Sequence, residues 1–164
     1  MAVAQSTPYE RLQPCLFDRL IDDEVQKKEE GRHGRVISLS EYQKAVLRDL
    51  RWLLNSTSHI ATEGLEDFPD VQSSVLNFGI PTLSGIAFAG LDLDDLEGAV
   101  TRAIRDFEPR IVSDTLSVRV VHGDVGDSPT TLYFEIRGEL WARPFPEKLF
   151  IKTALDLETG AVTL

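Results

Sequence analysis

Glu108, Pro109 and Arg110 bring two opposite charges together through local covalent geometry alone. Proline fixes its own φ and biases the residue before it toward an extended conformation. Residues two apart in an extended segment point to the same side, so the tripeptide sets a carboxylate beside a guanidinium at a rigid corner. Three uses fit such a corner: a local ion pair, Arg110 serving the last carbonyls of a preceding helix, or a charged site that bridges to a partner.

Other residues that could carry chemistry lack the spacing it needs. His33, His59 and His122 are far apart and no Cys or His pair has ligand spacing, so no metal or cofactor site is expected. The single cysteine, Cys15, sits among Leu16, Phe17 and Leu20, which suggests a buried, inert thiol. No G-x-S-x-G elbow occurs. Gly79, Gly85 and Gly90 are too scattered for a phosphate loop, and no Gly-Lys-Ser/Thr follows them. Asp92, Asp94, Asp95 and Glu97 lack the alternation and central glycine of a calcium loop and fit a helix start better. A glycosidase needs two facing carboxylates, but with 27 acidic residues no single pair stands out. No catalytic residue is assigned.

The composition narrows the partners. The chain has 164 residues, 42% hydrophobic and 27% charged, with a net charge of −10. That suits one globular domain. It disfavours a nonspecific nucleic-acid binder, which must displace counterions with Lys and Arg, and it disfavours an anionic membrane surface. One cysteine, no signal-peptide pattern and no apolar stretch of about 20 residues point to a cytosolic protein with no direct membrane insertion.

The elements that must place these residues can be read from periodicity. Residues 1–15 look like a flexible arm, Cys15 to Ile21 like a helical turn or two, and residues 22–38 like a charged exposed linker. Ser40 and Gln43 have capping-box spacing. Tyr42, Val46, Leu50, Leu53 and Leu54 then follow at helical spacing in a helix of about four turns ending near Asn55, with Trp52 off the stripe and partly exposed. Residues 56–90, broken by Pro69, Gly79, Pro81, Gly85 and Gly90, read as a packed loop with short helical turns. A further helix starts at Asp92 or Asp94, lines one face with Leu96, Val100, Ala103, Ile104 and Phe107, and stops before Pro109. Three period-two segments then begin near Leu116, Leu132 and Leu149, and Glu158-Thr159-Gly160 forms a turn into a short last strand. Helices first and strands last give an α+β fold, with N-terminal helices packed on one face of a C-terminal antiparallel β-meander with a terminal hairpin.

Several blocks resemble TssE, the baseplate wedge family of type VI secretion, which is similar to a small lysozyme-like wedge protein of contractile phage tails. They are Phe17-Asp18-Arg19-Leu20, Val46-Leu47-Arg48-Asp49-Leu50, Trp52-Leu53-Leu54-Asn55, Ser73-Ser74-Val75-Leu76-Asn77-Phe78-Gly79, Leu83-Ser84-Gly85 and Phe107-Glu108-Pro109-Arg110. They occur in family order from near residue 16 to the C-terminus, and the Gln26 to Arg35 segment matches none of them. The resemblance implies a structural, non-enzymatic subunit that joins the wedge to the first sheath ring and templates sheath assembly. It implies Glu108, Pro109 and Arg110 as partner-binding residues, and a sheet that accepts a strand from the sheath. The implied partners are the wedge subunits TssF, TssG and TssK and the sheath subunits TssB and TssC, in a cytoplasmic baseplate docked at the inner membrane. No cofactor, metal, nucleic acid or small-molecule substrate is implied. The alternatives are a lysozyme-like hydrolase acting on peptidoglycan and the equivalent wedge protein of a phage tail.

Overall fold

A computed structural model describes residues 12–20, 37–59, 67–82, 92–121, 130–142 and 145–163. The helices are α1 (Leu16–Leu20), α2 (Leu39–Leu54), the single turn α3 (Pro69–Gln72) and α4 (Leu93–Phe107). The strands are β1 (Ser117–Val121), β2 (Thr131–Leu140), β3 (Glu147–Asp156) and β4 (Val162–Thr163), all antiparallel in the order β1-β2-β3-β4. The architecture is the expected α+β arrangement of helices against a meander.

The helical stripe of α2 buries Tyr42, Val46, Leu50, Leu53 and Leu54. That of α4 buries Leu96, Val100, Ala103 and Ile104. They meet the inward rows of the sheet, Leu132, Phe134, Ile136 and Leu140 on β2 and Leu149, Ile151 and Leu155 on β3, in one core. Each fully buried aliphatic side chain of this kind stabilises the fold by about 1.5–3 kcal/mol relative to exposure. Trp52 lies off the stripe and is 47% exposed.

The helix ends show where local signals compete. The capping box forms two residues before the expected pair. The Ser38 Oγ accepts from the Glu41 N–H at 3.2 Å, and the Ser38 N–H donates back to Glu41 Oε2 at 2.7 Å. Ser40 and Gln43 share that spacing, but a carboxylate in the first turn is a stronger acceptor than an amide and suits the helix dipole. Asp92 caps α4 by accepting from the N–H groups of Asp94 and Asp95.

Residues 67–82 form short turns tied down by polar groups. Asn77, 4% exposed, accepts from the His59 N–H and donates to the Gln72 carbonyl. Gly79 has φ +129°, and a Cβ there would lie 2.3 Å from the Ser56 carbonyl oxygen. That contact lets Ser56 and Ser58 exchange backbone hydrogen bonds with Ile80. Residues 1–11 of the expected arm, Ile21 of the expected helical turn and residues 22–36 of the expected linker lie outside the described residues. Leu12 and Ile37, at their margins, form an antiparallel bridge.

The cysteine departs from expectation. Cys15 is half-buried rather than enclosed, and its Sγ donates to Asp18 Oδ2 at 2.9 Å. The apolar residues beside it do not cover it, because Leu16 and Leu20 are 73% and 75% exposed.

Candidate functional site

The corner is built where α4 runs out of helix. Glu108 donates its N–H to the Ile104 carbonyl as the last helical bond, and its own carbonyl accepts from the Ile111 N–H. Pro109 and Arg110 are therefore the central residues of a β-turn, not part of an extended segment as the side-by-side argument assumed. Proline's fixed φ suits the second position of such a turn, and the turn also brings residues 108 and 110 to one side. The chain then joins the sheet, since the Trp141 N–H donates to the Arg110 carbonyl at 2.7 Å.

Within the turn, Arg110 binds Glu108 bidentately, Nε to Oε1 at 2.6 Å and Nη2 to Oε2 at 2.5 Å. The Arg110 N–H adds a third bond to the same carboxylate. The guanidinium does not serve the helix carbonyls. Its Nη2 instead reaches across to Asp49 Oδ2 on α2 at 2.6 Å.

Asp49 extends the array. Arg48 Nε donates to Asp49 Oδ1 at 2.8 Å. Arg48 Nη2 lies 2.8 Å from the same oxygen as a charge contact without hydrogen-bond alignment. Arg48 Nη1 pairs with Asp18 of α1 at 2.5 Å. The charges thus alternate along Asp18, Arg48, Asp49, Arg110 and Glu108, three negative and two positive. Arg48 also lies over the rings of Phe17 and Trp52, at 5.3 and 5.1 Å, and those rings meet edge to face. Glu108 is 3% exposed, while the side chains of Arg110 and Asp49 are 17% and 24% exposed. The corner is a clamp between α2, the end of α4 and the end of β2, with α1 laid on its outer side.

The electrostatics follow from this geometry. Burial alone lowers an arginine pKa, but the hydrogen bonds and charges of Glu108 and Asp49 outweigh it and hold Arg110 well above its usual range. For Asp18, burial raises the pKa, and the hydrogen bonds from Cys15 and Arg48 overcome that and lower it. Burial, opposed by Arg110 and aided by Glu108, raises the pKa of Tyr42. Tyr42 therefore stays protonated and donates to the Trp141 carbonyl at 3.0 Å, a second tie between α2 and the end of β2.

Of the three expected site residues, Glu108 and Arg110 are turned inward and engaged within the chain. Pro109 alone is exposed. Asp49, Arg48 and Asp18 complete the array and were not singled out from sequence. A signal for Asp49 exists: it lies on the apolar stripe, between Val46 and Leu53 at helical spacing, where an acid requires a partner. Of the histidines, His33 and His122 lie outside the described residues, and His59 is exposed. Among the described residues no three His, Cys, Asp or Glu side chains gather in a metal-binding group, and no helix is long and apolar enough to cross a membrane.

Residues 40–144 match the family described as baseplate wedge protein gp25. Comparison with curated proteins and with solved structures gives no match. The matched span runs from the first turn of α2 through the corner to the end of β2, and so holds Arg48, Asp49, Glu108, Pro109 and Arg110 together with the elements that position them. A match over well over half of the 164 residues, across the clamp and its supports, establishes that the chain belongs to the baseplate wedge protein gp25 family.

Proposed function

We propose that this wedge protein works in a cytoplasmic type VI secretion baseplate docked at the inner membrane, as a TssE-type subunit that joins the wedge to the first sheath ring and templates sheath assembly. Its partners on this reading are TssF, TssG and TssK on the wedge side and TssB and TssC on the sheath side. The observation that carries the reading is the clamp. A buried, bidentate Arg110–Glu108 pair extended to Asp49 fixes one helix end, a second helix and a strand end against each other. A subunit that transmits assembly geometry needs that rigidity, and the exposed Pro109 presents the clamped corner to a neighbour. Strand addition is the second part of the reading, since an antiparallel sheet can take an extended chain at an unpaired edge.

The geometry gives less support to hydrolysis. Among the described residues, the cleft of about 350 Å³ between α4 and residues 69–81 has one lining carboxylate, Asp106, where a glycosidase needs two.

The test is live imaging of fluorescent sheath in cells carrying Arg110→Ala or Arg110→Lys, with the unfolding midpoint of each purified variant measured alongside. Lysine keeps the charge but loses the bidentate fork. Sheath assembly should fall in both variants at a temperature where both remain folded. Normal sheath assembly and effector delivery in folded Arg110→Ala would refute the assignment.

A further inference from the structure

On each outer strand of the sheet a side chain occupies the outward backbone of one residue. On β1, the Val120 N–H, turned away from β2, donates to Glu97 Oε1 of α4 at 2.7 Å. On β4, the Asn55 carboxamide bonds Val162 in both directions: its Nδ2 donates to the Val162 carbonyl at 3.0 Å, and the Val162 N–H donates to its Oδ1 at 3.0 Å. A carboxamide so placed supplies the donor–acceptor pair that a neighbouring strand would offer.

β4, however, covers only Ala154 and Leu155 of β3, and β3 runs from Glu147 to Asp156. The alternation of an antiparallel ladder sets where the remaining backbone groups point. The Asp156 N–H bonds toward Ala161, on the β4 side, and the Leu157 N–H bonds toward Thr130, on the β2 side. By period two, the N–H and C=O groups of Lys148, Phe150 and Lys152 face out of the sheet. Among the described residues none hydrogen-bonds them. Their side chains are exposed on the face away from the helices. Phe150 is held under Arg137 at 5.3 Å, and Lys152 Nζ over the Tyr133 ring at 5.2 Å.

A chain with a net charge of −10 therefore presents lysine, phenylalanine and lysine along this open edge. A second copy laid antiparallel about Phe150 would set Lys148 opposite Lys152 twice, and like charges directly opposite are destabilising. Lysines on an edge are a known guard against self-pairing. A strand with acids at the facing positions meets attraction instead.

We propose that the Lys148–Lys152 edge of β3 is the strand acceptor. Its occupant is an extended partner segment with Asp or Glu opposite Lys148 and Lys152 and an apolar or aromatic residue opposite Phe150. The same lysines keep copies of this chain from pairing with one another. The proposal rests on the strand-addition reading above and adds the edge and the chemistry of the guest.

Two measurements test it on the full chain. In the first, sedimentation equilibrium follows Lys152→Glu, which sets a carboxylate opposite Lys148 of a second copy at both ends of the pairing. Self-association should tighten at least about tenfold. It should be lost again in the Lys148→Glu/Lys152→Glu variant and in Lys152→Glu combined with Phe150→Pro, which removes an edge N–H. No gain in self-association would overturn the guarding role. In the second, purified sheath subunits are bound to the wild-type chain. Amide exchange should slow at Lys148, Phe150 and Lys152, and Lys148→Glu/Lys152→Glu should weaken binding about tenfold. Glu97→Ala, which opens β1, should leave binding unchanged. If the wild type binds but slows at Val118 and Val120, or ignores the charge reversal, the edge assignment falls and strand addition stands. If the wild type does not bind sheath subunits at all, both fall.

Discussion

Removing the guanidinium from the clamp should cost more than a surface ion pair, and the structure sets the amount. Arg110→Met keeps the aliphatic length and deletes two bonds to the Glu108 carboxylate and one to Asp49. Breaking a buried pair by removing one partner costs about 3–5 kcal/mol, because the other charge is left without compensation. Glu108 is 3% exposed, but the Arg110 and Asp49 side chains at 17% and 24% admit some water, and Asp49 keeps Arg48. The lower end, about 3 kcal/mol, is therefore expected. For a chain of this size that is a fall of roughly 6–12 °C in Tm, and the protein stays folded within a typical stability of about 5–15 kcal/mol.

One further measurement separates a coupled pair from two independent residues. Adding Glu108→Gln to Arg110→Met should recover most of the loss in urea unfolding, since a buried pair replaced on both sides leaves no orphaned charge. Single losses that simply add in the double variant would refute the clamp.

Two more predictions concern the supports. Gly79→Ala forces a side chain into φ +129° with its Cβ 2.3 Å from the Ser56 carbonyl oxygen; strain and overlap together should cost about 3 kcal/mol or more, and a loss under about 1 kcal/mol in urea unfolding would contradict the close approach. Asp18 has a lowered folded pKa, so its hold on α1 is present above the ordinary value of 3.8 and is lost as pH falls through the folded one. Asp18→Asn at neutral pH should mimic that release, seen as a change in Trp52 fluorescence when the Phe17 and Arg48 contacts loosen; identical spectra would show that α1 is held by its rings alone.

Much of this protein is legible without coordinates because the relevant physics is local. A 3.6-residue repeat of Leu and Val specifies α2 and α4, and a two-residue repeat specifies each strand, whatever the rest of the chain does. Pro109 ends α4 for the same reason, through its own ring and its effect on Glu108. The corner was legible as a place, and its first charge pair as a contact. Its geometry was not: an extended segment and a β-turn both bring residues 108 and 110 to one side, and the choice depends on Ile111 and Trp141 being held by β2. The capping box was misplaced by two residues because the same spacing occurs twice, and the Glu41 carboxylate in the first turn favours the pair that starts at Ser38.

Tertiary structure alone decided which distant groups meet. Asp49 and Arg110 are 61 positions apart. Asn55 and Val162 are separated by 107. Such pairs arise after loops close and the core packs, so their energies depend on distances that no window of sequence contains. The same holds for the sheet edges. Every strand has an alternating pattern, but Glu97 and Asn55 reach Val120 and Val162, while Lys148, Phe150 and Lys152 have no backbone partner among the described residues, because α2 and α4 lie where the core puts them.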